Sequence, residues 1–280
     1  MGYKVVNRRE LNPTVTMLEI DAPLVAAKAE AGQFVILRVD AEGERIPLTV
    51  AGYDREKGTV SIIFQIVGAT TAKLNSKKVG DEIEDFVGPL GRATETEGLK
   101  KVCIVGGGVG CAIALPIARK LHSLGCEVDA VIGFRNKDLV ILEDEFRECS
   151  SLTVTTDDGS HGRKGVTSLP LKEKLESGEK YDAVIAIGPL IMMKATVETV
   201  RPFGTKVIVS MNPIMIDGTG MCGGCRLTVG GKTRFACIDG PDFDGYEVDF
   251  DEAMMRNTAY REFETSEREK HCELFRKEVK

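Results

Sequence analysis

No stretch of the 280-residue chain approaches the roughly 20 consecutive apolar residues that cross a bilayer, so no membrane span is expected. The amino terminus, Met1 to Arg9, lacks the apolar core of a secretory signal. Gly2 does not complete a myristoylation motif, because Val6 stands where Ser or Thr is needed. A cytoplasmic protein is the resulting expectation. The chain also lacks any basic excess: its net charge of -6 gives no field to attract nucleic acid, and no nucleic-acid partner is expected. Histidine is scarce, and His122, His161 and His271 are scattered, so none is assigned a role. There is no internal repeat.

The hydrophobic content of 42% against 29% charged residues is enough to bury cores, and the length suggests two domains. Residues 1-97 read as β-rich. Val15 to Ile20, Phe34 to Val39, Leu48 to Ala51 and Thr59 to Ile66 are strand-like, with glycines between them at turn-like intervals. A small antiparallel barrel is expected, with one short helix starting near Thr70 or Thr71. Residues 98-212 change rhythm. Apolar strands near Lys101 to Val105, Val128 to Gly133, Leu152 to Thr156, Ala183 to Ile187 and Lys206 to Ser210 alternate with helical stretches, among them Ala112 to Leu124. That pattern is a parallel sheet covered on both faces. Residues 213-240 are too glycine-rich and too poor in apolar groups to make their own core. Residues 241-280 read as a charged tail, helical from Asp251 to Tyr260 and after Ser266. The fold class is therefore α/β plus β.

Within the second segment, Gly106-Gly107-Gly108-Val109-Gly110-Cys111 follows a strand and opens a helix. Backbone N–H groups at such a turn, with a helix N-terminus behind them, suit a diphosphate. The strict G-x-G-x-x-G fingerprint fails at Cys111, and Arg135 rather than an acid closes the second strand. Arg163 and Lys164 read as solvated charges.

The eight cysteines are unevenly spread, three of them falling at 222, 225 and 237. A disulfide framework is not expected, and these three read as a metal or redox site. Asp217, Cys222, Cys225 and Cys237 reproduce the C-x4-C-x2-C…C spacing of plant-type [2Fe–2S] proteins, with a carboxylate in the first place. Zinc held by one carboxylate and three thiolates fits the same spacing. A redox pair of Cys222 and Cys225 is a third reading, and Asp239 could replace Asp217 as ligand.

These segments resemble the ferredoxin–NADP reductase superfamily. Arg45-Ile46-Pro47-Leu48-Thr49 resembles its Arg-x-Pro-x-Ser/Thr flavin motif, Val67-Gly68-Ala69-Thr70-Thr71 its second flavin segment, and Val87-Gly88-Pro89 its closing turn. The glycine turn, Thr156-Asp157-Asp158-Gly159 and Gly188-Pro189-Leu190-Ile191-Met192 resemble its nucleotide landmarks, with Ile187 in place of a cysteine. The resemblance implies FAD on Arg45, Pro47, Leu48, Thr49, Gly68, Thr70, Thr71 and Gly88. It also implies NAD(H) on Gly107, Gly108, Val109, Gly110, Asp157, Asp158, Gly188 and Pro189. The preference for NADH comes from the resemblance alone. Over nearly the whole chain, the order of barrel, nucleotide domain and cysteine loop is similar to the electron-transfer subunits of dihydroorotate dehydrogenase. It is still more similar to the small subunits of NADH-dependent reduced ferredoxin:NADP oxidoreductase, which share the aspartate at the first cluster position. That likeness implies a heterodimeric oxidoreductase subunit that passes electrons to a larger, glutamate-synthase-like subunit carrying flavin and iron–sulfur centres, in a bifurcating complex. A regulatory module binding nucleotide and zinc is the reading from another class.

Overall fold

The computed structural model describes residues 2–258; the helical stretch expected after Ser266, the last residues of the stretch before it, and Cys272 lie outside them. The first half holds β1 (Tyr3–Asn12), β2 (Val15–Asp21), α1 (Pro23–Ala26), β3 (Phe34–Arg38), β4 (Arg45–Asp54), β5 (Thr59–Gln65), α2 (Ala69–Asn75), β6 (Glu82–Ile83) and β7 (Asp85–Leu90). The seven strands form an antiparallel sheet in the order β6-β1-β2-β5-β4-β3-β7. Its two edge strands are separated in sequence only by Glu84, so the chain itself nearly closes the barrel. Leu18, Ile20, Ile62 and Leu37 alternate with outward residues and fill the interior. β1 was not legible in the sequence because it carries Asn7-Arg8-Arg9-Glu10 and fully buries only Val5.

β4 is split between two neighbours. Arg45 to Thr49 pairs with β3, and Val50 to Asp54 pairs with β5 across a shift at Gly52. Pro47 therefore sits where one strand edge has no ladder to feed, the position in a sheet that tolerates a missing N–H.

The second half holds β8 (Lys101–Gly107), α3 (Gly110–Ser123), β9 (Glu127–Phe134), α4 (Glu143–Arg147), β10 (Ser151–Thr156), β11 (Arg163–Lys164), α5 (Ser168–Glu176), β12 (Ala183–Ile187), α6 (Leu190–Val200) and β13 (Lys206–Ser210). They are followed by β14 (Arg226–Val229), β15 (Lys232–Phe235), α7 (Ala236–Asp239), β16 (Asp242–Asp244) and α8 (Phe250–Thr258). The sheet order is β11-β10-β9-β8-β12-β13-β16, parallel throughout except for β16, which runs antiparallel to β13. Val102 and Ile104 bury against α3, while Cys103 and Val105 bury against α5 and α6, so both faces are covered. The segment after residue 240, read from sequence as a helical tail, first supplies the edge strand β16. Three residues, two of them acidic, give no strand signal of their own. Among the described residues no helix is long and apolar enough to cross a membrane.

Candidate functional site: a nucleotide cleft, a flavin face and a cysteine loop

The sheet order reverses direction between β8 and β12, which is where an open α/β sheet leaves a crevice at its strand ends. A cleft of about 540 Å³ lies there, walled on the barrel side by Asn12, Thr14 and Gln65. Gly107, Gly108, Val109, Gly110, Asp157, Gly188 and Pro189 all line it, so seven of the eight nucleotide residues read from sequence come together. Asp158 does not join them. Its carboxylate accepts the Ser160 hydroxyl at 2.6 Å and the Ser160 N–H at 2.9 Å, which hold it below the usual carboxylate range and close the turn.

The failed fingerprint has a physical resolution. A Cβ on Gly110 would stand 2.5 Å from the Ile187 carbonyl oxygen and 2.8 Å from Gly188 Cα. Gly110 thus does the close helix-to-strand packing that the third fingerprint glycine usually does. Cys111, next along, is fully buried, and burial pushes its thiol far up, so it is a packing residue. Gly107 meets Met192 and Pro189, and Gly108 takes φ +54 with open space where a side chain would be. The turns after β8 and β12 therefore interlock, with Gly108 as the bare backbone facing the cleft. Arg135 lines the cleft too. Arg163 is held away in a two-pronged pair with Glu173 at 2.7 and 2.8 Å.

On the barrel, strand alternation sorts the residues read from sequence as flavin-binding. Arg45, Pro47 and Thr49 pair across β3 with Arg38, Ile36 and Phe34 and share one outward face. Leu48 lies on the other face, packed against the barrel core, so only its backbone is offered to a ligand there. Arg45 is half exposed, with its guanidinium 3.9 Å from Asp85, which binds Arg38 more closely at 2.6 Å. Gly68 caps α2 with open space around it. The Thr71 hydroxyl accepts the N–H groups of Val67 and Gly68, both at 3.0 Å, and donates to the Gly68 carbonyl. It shapes the helix entry rather than pointing outward. Thr70 donates to Glu44 at 3.2 Å. A Cβ on Gly88 would lie 2.7 Å from Val35, so this glycine lets β7 pack on β3.

The cysteine loop runs from β13 to β14. The Asp217 carboxylate is its hub, accepting the N–H groups of Thr219 (2.9 Å), Met221 (3.1 Å) and Cys222 (3.1 Å). Those bonds, Thr219 first, hold it below the usual carboxylate range. Cys225 and Cys237 are buried with their sulfurs 3.3 Å apart. Burial first, and the Cys225 thiol second, push Cys237 up to about 12. Cys222 is exposed, and its sulfur takes the Gly224 N–H at 3.4 Å. The structure thus joins two of the four residues read as ligands. Cys222 and Asp217 stay on the same loop without closing on that pair, and among the described residues no three His, Cys, Asp or Glu side chains meet at one point. Asp239, the alternative ligand, is occupied by the Phe235 N–H at 2.8 Å.

The donor set nevertheless fits a two-iron centre. It offers two touching buried thiols, a third sulfur already receiving an N–H, and a carboxylate oxygen on one glycine-hinged loop, and N–H groups aimed at sulfur suit thiolate ligands. Phe34 and Ile36, on the flavin face of the barrel, belong to the same apolar cluster as Cys225 and Cys237. This grouping is not legible in the sequence, because its members lie far apart in the chain.

Residues 212–249 match the family model described as the iron-sulfur cluster binding domain of dihydroorotate dehydrogenase B. The chain is 47% identical over 261 residues to a dihydroorotate dehydrogenase B (NAD(+)) electron transfer subunit homolog of Thermotoga maritima, covering 93% of this chain and 92% of the relative. It is 50% identical over 268 residues to an uncharacterized protein in the adh 3' region of Clostridium beijerinckii, covering 92% and 90%. Among solved structures, a chain of the NADH-dependent reduced ferredoxin-NADP oxidoreductase, studied for flavin-based electron bifurcation, superposes with a TM-score of 0.92 at 44% identity, covering 97% of this chain and 98% of that one.

Proposed function

The chain belongs to the family of dihydroorotate dehydrogenase B electron-transfer subunits and their homologues, and on that premise we propose that it is the NADH-side electron relay of a larger oxidoreductase. Three groups are implied: NAD(H) in the cleft, FAD on the β4 face, and a [2Fe–2S] centre on the cysteine loop. When bound, these cofactors supply hydride exchange between nicotinamide and flavin and the release of electrons one at a time through the cluster.

The protein's part is binding and placement. The interlocked turns at Gly107 to Gly110 and Gly188-Pro189 offer bare backbone and the first turn of α3 to a diphosphate. Asp157 presents a carboxylate at the cleft, suited to accept ribose hydroxyls and to repel a 2'-phosphate, which favours NADH over NADPH. Arg45, Pro47 and Thr49, with the backbone of Leu48, would hold the flavin from one sheet face. Gly68 and Thr70 at the entry to α2 would take its phosphates, Thr71 shapes that entry, and Gly88 keeps β7 packed on β3. Cys225 and Cys237 lie sulfur to sulfur at 3.3 Å, and a metal there would take them as thiolates. Cys222 and Asp217 complete the set from the glycine loop.

The observation that carries this reading is the seating of the cysteine loop on the face proposed for flavin: a Cβ on Gly218 would stand 2.9 Å from Ile36, and Phe34 and Ile36 share one apolar cluster with Cys225 and Cys237. Exposed Ile214, Ile216, Met221 and Ile238 surround the loop and suit an apolar partner surface. Asp217 and the likeness to the ferredoxin-NADP enzyme favour a larger flavin and iron–sulfur subunit as that partner, with a dihydroorotate dehydrogenase subunit as the second reading. The zinc module has lost support, since residues 212–249 match an iron–sulfur domain. Anaerobic purification from the native host, with assay of flavin, iron and co-purifying subunits, tests the reading. Zinc in place of iron, or no flavin, would overturn it.

A further inference from the structure

Gly218 is buried on the barrel with φ +75, and a Cβ there would stand 2.7 Å from Leu90 Cδ1 and 2.9 Å from Ile36 Cγ1. Both side chains project from the outward face that carries the flavin residues. Ile36 pairs across the sheet with Pro47, and Phe34 pairs with Thr49 on one side and Leu90 on the other. Adjacent strands lie about 4.8 Å apart, so Ile36, on which the cysteine loop packs, stands one strand away from Pro47. The residue before Gly218 is Asp217, the hub that gathers the N–H groups of Met221 and Cys222. Any lift of the backbone at 218 is therefore carried straight into the loop.

We propose that the seating of Gly218 on Ile36 and Leu90 is the positioning contact that sets the separation between flavin and cluster. The proposal rests on the electron-relay reading above. NADH would supply two electrons as hydride to the bound flavin. The cluster would accept one of them at a time, passing each on to an acceptor on the partner subunit before taking the next. The contact consumes nothing and would change only the rate of that one-electron step. Thr219, next along the loop, is exposed and hydrogen-bonded to Asp217.

The test uses the full chain loaded with flavin and iron, with NADH as the reductant in anaerobic stopped flow, following flavin and cluster absorbance separately. In Gly218→Ala the expectation is unchanged iron content, an unchanged rate of flavin reduction, and cluster reduction slowed several-fold. Adding Ile36→Ala together with Leu90→Ala, which opens the space from the barrel side, should recover most of that loss. Cluster reduction at the unaltered rate in Gly218→Ala would overturn the proposal. So would slowing that the paired Ile36→Ala and Leu90→Ala change fails to relieve, since that loss would come from backbone strain at positive φ. If Gly218→Ala loses its iron, Ile36→Phe crowds the same contact with the loop sequence intact. Slowed cluster reduction with iron retained supports the proposal there, and full-rate reduction overturns it. Absence of flavin or iron from the unaltered chain would sink the relay reading itself, whereas insensitive variants of a loaded chain sink only this inference.

Discussion

Gly110 and Ile187 lie so close that a single methyl group between them would stand 2.5 Å from the Ile187 carbonyl oxygen. This contact seats α3 on the end of β12 and, with it, one wall of the nucleotide cleft. Gly110→Ala should therefore cost about 1–3 kcal/mol of stability by overpacking and weaken NADH binding at the same time. Thermal unfolding with and without NADH checks both effects. Gly52→Ala is the control, since a Cβ there would meet only Ser61, at 3.6 and 3.7 Å, away from the cleft.

A second expectation concerns the choice of nucleotide. Removing the Asp157 charge with Asp157→Asn should weaken NADH binding by about 1.5–3 kcal/mol, the worth of a charged hydrogen bond, and bring NADPH closer to NADH. The ratio of kcat/KM for the two nucleotides reads this directly. Asp158→Asn should leave that ratio unchanged, because its carboxylate is tied to Ser160.

Much of this architecture was legible because it depends on local pattern. Alternation in β2 and β5, and the buried runs of β8, β12 and β13, announce the two sheets. The glycine turn gave the position of the cleft, although the duties of its glycines turned out shifted by one residue, with Gly110 doing the packing and Cys111 merely buried. What stayed hidden is non-local. Leu48 and Thr49 are neighbours in the motif yet face opposite sides of the barrel. Nothing in the sequence joins Ile36 to Gly218, or brings Asn12 and Gln65 to the nucleotide cleft. Within the cysteine loop, spacing marked four residues alike, whereas the fold brings only Cys225 and Cys237 into contact.

Stability should also respond to pH through Asp242. Its Oδ2 accepts the Thr94 hydroxyl at 2.6 Å, while its Oδ1 is sealed from solvent without a partner. Burial pushes this carboxyl above its ordinary range. Between an unfolded pKa of about 3.9 and the raised folded value, the folded chain binds more protons, so this group's contribution to stability falls as pH rises. Asp242→Asn should flatten that part of the stability profile and gain most, relative to the unaltered chain, above the folded pKa. Urea unfolding from pH 4 to pH 8 measures the slope. An identical slope in the variant would mean that Asp242 is not the group responsible.

Loss of a buried thiol should have a different outcome from loss of the exposed one. Cys225→Ser or Cys237→Ser should abolish iron binding and disturb the apolar cluster shared with Phe34 and Ile36, lowering Tm even without iron. Cys222→Ser should abolish or cripple iron binding with little change in the iron-free Tm, because Cys222 is exposed. Iron assay and calorimetry of the three variants separate these outcomes.

The most direct measurement is an anaerobic NADH titration of the reconstituted, full-length chain, followed by visible absorbance and by iron and flavin assay. The account predicts one flavin and two irons per chain, both bleached by NADH, with Cys237→Ser losing the iron absorbance while its flavin still bleaches. A colourless chain, or one whose iron NADH cannot reduce although its flavin responds, would contradict it.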